Sequence, residues 1–143
     1  MQKKKILVPI SFDRESEMAL DFALMYSQNS NAEIYLFHVT QTKGSDYREL
    51  DRLNEETMAR MKETFLKAIQ RAQEHGIKHL VDNVHRRVAH GKPWDEILRM
   101  AGGISADLVI MGSPESRSFI KMLGKMPCST VLVREKDVDF VME

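Results

Sequence analysis

The run Ile6-Leu7-Val8-Pro9-Ile10 is apolar at every position, without the polar alternation of a strand that has one wet face. Such a run fits a parallel strand buried on both sides, and a parallel strand needs a helical crossover to reach its neighbour. The residues that follow supply one. Asp13 stands where an N-cap is required, and Glu15 and Glu17 fall in the positive first turn. Met18, Ala19, Phe22, Ala23 and Tyr26 then recur at helical spacing, and Asn29-Ser30-Asn31 closes the helix. Residues 33–39 form a second apolar run, rich in aromatic and branched side chains, and are expected as the second strand.

The same alternation persists to the end of the chain. Between about 46 and 75, Leu50, Leu53, Met58, Met61, Phe65, Ile69 and Ala72 trace one stripe, and Gly76 is placed to stop the helix. Residues 80–89 mix apolar and charged positions, which is expected of a strand toward the edge of the sheet. His90-Gly91-Lys92 turns into a helix with Pro93 at its first position, Trp94, Ile97, Leu98 and Ala101 inward, and Gly102-Gly103 after it. Residues 107–112 read as the fourth strand, 116–123 as a short helix limited by Gly124 and Pro127, and 130–133 as the fifth strand. Five strands alternating with four helices predict an α/β fold: a doubly wound, five-stranded parallel sheet with helices on both faces.

With 143 residues, 43% of them hydrophobic, one domain over 1–143 buries enough surface to need no disulfide or metal for stability. The tail, 134–143, alternates weakly through Val138, Phe140 and Val141 and is expected to join a dimer contact. Lys and Arg number 21, as do Asp and Glu, so the chain has no general attraction for nucleic acid or an anionic membrane. No apolar stretch is long enough to span a bilayer, and the run at 6–10 ends too early for a signal peptide. The one cysteine, Cys128, excludes an internal disulfide, a CxxC pair and a cysteine-built zinc site, so a reducing cytoplasm is the expected compartment.

Several chemistries lack their residues. No G-x-S-x-G elbow surrounds Ser113, no HExxH is present, and His85 and His90, five apart in a strand, face opposite ways. His38 reads as a structural histidine, and Cys128 as a packed thiol. A receiver domain would need acids where Ser11 and His90 stand, and a dinucleotide fold would need glycines where Ser11-Phe12-Asp13-Arg14-Glu15 has none. A Walker lysine loop is likewise missing. No catalytic residue and no metal ligand is assigned.

Four blocks resemble the universal stress protein (UspA-type) family in order and spacing. They are Ile6-Leu7-Val8-Pro9 with Ala19 and Ala23 behind it; Leu36-Phe37-His38-Val39; Gly91-Lys92-Pro93-Trp94-Asp95-Glu96-Ile97; and residues 106–113, followed by Pro127-Cys128 and Val131-Leu132-Val133. The resemblance implies a cytoplasmic homodimer with a role in stress responses. It also implies an ATP site at the carboxyl ends of the first and fourth strands, where open α/β sheets bind ligands.

The ATP-binding pattern itself is broken. ATP-binding members carry an acid where this chain has Ser11, and a G-x2-G-x9-G-[S/T] loop of which only Gly112 matches; Glu115, Lys125 and Met126 fall at the other three places. The expectation is therefore a divergent member with a truncated ATP-binding loop, a scaffold or regulator that works through protein contacts, has no cofactor and does not bind ATP. Its dimer surface is expected at Thr130, Val131, Leu132 and Val133, extended by Phe140, with an unidentified protein as further partner. The alternative is a nucleotide-responsive switch or weak ATPase using Pro9, Ile10, Ser11, Val39, Gly112 and Ser113. Ser116, Arg117 and Ser118, opening a helix, form a candidate small-anion site.

Overall fold

The computed structural model describes residues 3–28, 30–41, 47–77, 84–114 and 119–135. The elements follow in the expected order: β1 (Lys4–Pro9), α1 (Arg14–Ser27), β2 (Ala32–Thr40), α2 (Tyr47–Glu74), β3 (Val84–His90), α3 (Pro93–Gly103), β4 (Leu108–Gly112), α4 (Phe119–Lys125) and β5 (Ser129–Val133). All pairs are parallel, in the order β3-β2-β1-β4-β5. The apolar run that begins at Ile6 thus lies at the centre, with Ile6, Leu7 and Val8 fully buried. β3, with its mixed polarity, lies at one edge, and β5 at the other.

Strand alternation divides the core in two. Ile6, Val8, Ile34, Leu36 and Ile110 face α1 and α2, while Leu7, Tyr35, Phe37, Val109 and Met111 face Ile97 and Ala101 of α3 and Met122 of α4. Cys128 packs against the second cluster, and burial, with Asp107 nearby, pushes its thiol pKa up. It is thus packed rather than activated.

Several boundaries and faces differ from those expected. In α1 the buried stripe is Ser16, Ala19, Leu20, Ala23, Leu24 and Ser27, whereas Tyr26 is exposed. The helix is rotated toward its small residues because it is pressed onto the end of β4. In α2 the innermost residues are Thr57, Met61, Thr64, Ala68 and Ala72, with Met58, Phe65 and Ile69 flanking them. Gly76 ends this helix as expected, at φ +82°, with Ile77 N–H returning to Ala72 O at 3.0 Å.

α3 runs through Gly102 and Gly103 instead of stopping before them. One more residue brings Ile104 onto the second cluster, and the left-handed position falls on Ser105, at φ +55°. α4 likewise passes Gly124 and ends at Lys125, two residues before Pro127. The expected first residues of this helix, 116–118, and those of strand three, 80–83, lie outside the described residues.

Among the described residues no helix is long and apolar enough to cross a membrane. Nor do they contain a group of three or more His, Cys, Asp or Glu side chains that could hold a metal ion.

Candidate functional site

β2 and β4 flank β1, and the connections after β1 and β4 lead to opposite faces of the sheet. This switch point opens a crevice at the carboxyl ends of the strands. Two cavities occupy it. The first, about 280 Å³, lies on the β1–β4 side, between Ser11, Asp13, Glu15 and Ser16 on one wall and Pro93, Trp94 and Ile97 on the other. Gly112 and Ser113 also line it. The second, about 240 Å³, lies on the β1–β2 side and is lined by Ile10, Ser11, His38, Val39 and Gln41. Pro9, Ser11, Pro93 and Ile97 line both.

The wall that begins α1 is closed by its own hydrogen bonds. Asp13 Oδ1 accepts from Ser16 N–H at 2.8 Å and from the Ser16 hydroxyl at 2.5 Å, and Ser16 Oγ accepts from Ser11 N–H at 2.9 Å. Ile10 N–H donates to Phe37 O at 2.7 Å, and Ser113 N–H to Val133 O at 2.8 Å. These four backbone donors of the switch point are therefore spent within the chain. Asp13, the expected N-cap, holds the place that an anion would take at a helix N-terminus. Asp13 and Glu15 make the wall negative.

Gly112 is in close contact with the start of α1. A Cβ built on it would lie 2.8 Å from Glu15 C and 2.9 Å from Ser16 N, both backbone atoms of α1. The glycine lets the first turn of α1 sit directly against the end of β4. A valine there would meet the protein's own helix.

His38 is structural in the sense expected. Its Nδ1 donates to Ile10 O at 2.6 Å, tying β2 to the chain that leaves β1. His90 hydrogen-bonds Thr40 through its Nδ1. His85 stacks on Tyr35 at 4.5 Å.

All six candidate nucleotide-site residues, Pro9, Ile10, Ser11, Val39, Gly112 and Ser113, line one or both cavities. Ser116, Arg117 and Ser118 lie outside the described residues, as does Phe140. Thr130, Val131, Leu132 and Val133 lie on the edge strand β5, half-buried. Val131 packs on the first core cluster and Leu132 on the second, and the buried Thr130 Oγ1 has no hydrogen-bond partner among the described residues.

Sequence reasoning did not bring Asp13, Glu15, Ser16, Pro93, Trp94, Ile97 or Gln41 to the site. The start signal at Pro93 was present, but its approach to Pro9 depends on how the crossovers stack.

A sequence model of the universal stress protein family matches residues 3–134. No curated protein matches the chain. Among solved structures it is similar to the universal stress protein UspA from Lactobacillus plantarum, at 18% identity and TM-score 0.61, covering 94% of this chain and 99% of that one. It is also similar to the Archaeoglobus fulgidus universal stress protein in complex with dAMP, at 17% identity and TM-score 0.65, covering 93% and 99%. An Arabidopsis thaliana family protein with AMP bound matches at 15% identity and TM-score 0.62, covering 95% and 94%.

Proposed function

The chain belongs to the universal stress protein family, and from that premise we propose that it is a non-enzymatic, homodimeric stress-response scaffold or regulator of the cytoplasm, whose cleft does not take ATP. One observation carries the reading. The wall where a polyphosphate would lie presents the carboxylates of Asp13 and Glu15, and its donors at Ser11 and Ser16 are already bonded to the chain itself. A polyphosphate would have to displace an internal partner while facing charge of its own sign.

The dimer part of the proposal rests on β5. Its residues Ser129–Val133 carry no charge, and an uncharged edge strand invites pairing with a second copy. Because Val131 packs on the core and the Thr130 hydroxyl is itself buried, the cleaner test is Ser129→Lys, which places a charge on the exposed start of the edge strand. The expected result in sedimentation is a dimer for the parent and a monomer for the variant. A parent that sediments as a monomer at micromolar concentration refutes this part. For the cleft, a calorimetric titration with magnesium-ATP is expected to give no heat up to millimolar nucleotide, whereas micromolar binding would refute the reading.

A second reading, a switch responsive to an adenine mononucleotide or a weak ATPase, is favoured by the adjoining cavities and by the AMP and dAMP held in similar structures. The β1–β2 cavity is free of carboxylates among its described lining residues and has room for a ring. Titration with AMP beside ATP separates the two readings, since binding of either nucleotide would support the switch, and turnover of bound ATP the weak ATPase.

A further inference from the structure

Three features converge on Phe12. Its backbone has φ +61°, a left-handed conformation that a bulky residue ordinarily avoids. Its ring lies against the His38 imidazole, with centroids 4.7 Å apart, and the Arg60 guanidinium sits 4.2 Å from the ring centroid. His38 in turn holds Ile10 O, so both ends of the segment from Ile10 to Phe12 are tied to β2.

Arg60 is available for this contact because of how α2 disposes of its charges. The carboxylates one turn away on either side, Glu56 and Glu63, pair with Arg52 at 4.0 Å and with Lys67 at 3.2 Å. Among the described residues no carboxylate pairs with Arg60. Its guanidinium covers the Phe12 ring from an exposed position outside both cavities.

The cation over the ring offsets part of the cost of a left-handed Phe. Phe12 also packs on the first core cluster, so of the contacts that hold the ring only the one to Arg60 is made by an exposed side chain. We propose that Arg60 is a positioning residue for the cleft: through Phe12 it holds Ser11 and Asp13 in the capped arrangement, and release of the ring frees Ser11 N–H from Ser16. The inference rests on the proposed reading of this crevice as the functional site. It adds that α2, which does not line the crevice, sets which backbone donors the crevice presents.

Hydrogen exchange on the intact, unliganded protein tests it. Ser11 N–H, bonded to a side chain rather than to a ladder, reports the latch directly, and Ser16 N–H reports the cap. In Arg60→Gln both amides are expected to exchange about fivefold faster than in the parent, the loss of one cation–π contact expressed as an opening equilibrium. Those of β4 and β5 should keep the parental rate. Arg60→Lys, which retains a cation, should restore most of the protection.

Unchanged exchange at Ser11 in Arg60→Gln would overturn the proposal, as would equal acceleration throughout the domain or a lysine variant as fast as the glutamine one. Arg60 is exposed, so the core is left intact in both variants. The titration of the parent with magnesium-ATP judges the reading of the cleft separately, and either can fail without the other.

Discussion

Replacing Gly112 with Ala asks whether a residue that looks like part of a ligand loop is held by the protein's own packing. The added Cβ would stand 2.8 Å from Glu15 C, 2.9 Å from Ser16 N and 3.0 Å from Glu15 Cβ. Comfortable carbon contacts begin near ~3.5 Å, so the end of β4 and the first turn of α1 must separate by about 0.7 Å. Two of the three atoms are backbone and cannot rotate away. Nor can the helix slide freely, since Ala19, Leu20, Ala23 and Leu24 are all fully buried beneath it. Overpacking of this kind costs about 1–3 kcal/mol, offset by at most ~1 kcal/mol for replacing a strand glycine. A net loss of about 1–2 kcal/mol is expected, read as a lower urea midpoint at constant m-value. Gly124→Ala in α4, where an added Cβ meets nothing within 4 Å, is the matched control and should be neutral or stabilising. If Gly112→Ala stays within ~0.5 kcal/mol of the parent, the packing argument fails, and the glycine must serve something outside the chain.

Two further predictions follow from the fold. Ser105→Gly relieves a left-handed serine after α3, and Gly102→Ala places a side chain in open space inside that helix; each should add about 0.5–1 kcal/mol in the same urea assay. Burial, reinforced by a hydrogen bond to Glu33, pushes the Tyr35 phenol pKa above its ordinary 10.0. The folded state therefore holds the proton more tightly, its contribution is full below the free phenol's value, and stability falls as pH rises past it. Tyr35→Phe should flatten that alkaline decline in urea midpoints measured on either side of the phenol's range.

The sheet was readable from sequence because a parallel strand buried on both faces leaves a continuous apolar run, as at β1 and β2. An edge strand such as β3 loses that signature for the same reason. The helix faces were less readable. In α1, Met18 and Tyr26 are as apolar as Leu20 and Leu24, so periodicity leaves the rotation open by a fraction of a turn; the close contact between Gly112 and Glu15 sets it, and that contact spans most of the chain. The ends of α3 and α4 moved for similar reasons: glycines predicted a stop, but burial of Ile104 drew α3 onward.

The candidate site divides along the same line. Residues near strand ends, such as Pro9, Ser11 and Gly112, were named because the family resemblance implied a ligand at the ends of the first and fourth strands, and the sheet order sets those two strands side by side. Asp13 and Glu15 were recognised as helix-start residues, without any sign that this start forms the cleft wall.

That dual role of Asp13 gives the cleft its chemistry. A helix start at a switch point attracts an anion because its N–H groups lack partners; here one carboxylate oxygen takes Ser16 N–H and the Ser16 hydroxyl, and Ser16 Oγ takes Ser11 N–H. The chain thus supplies its own anion. A phosphate about 6 Å from such a carboxylate meets a repulsion of about 3 kcal/mol at an effective dielectric of ~20, which salt at an exposed rim lowers to about 1–2 kcal/mol. Glu15 adds to it. Asp13→Asn with Glu15→Gln removes both charges while keeping a side chain that caps helices as well as aspartate does. If charge is what weakens nucleotide binding, the doubly neutral protein should bind ATP about tenfold or more tightly than the parent, with a urea midpoint lowered only by the loss of the two first-turn charges. If it gains no affinity while remaining folded, the carboxylates are bystanders, and the donors already spent at Ser11, Ser16 and Ser113 are left as what a phosphate would have to displace.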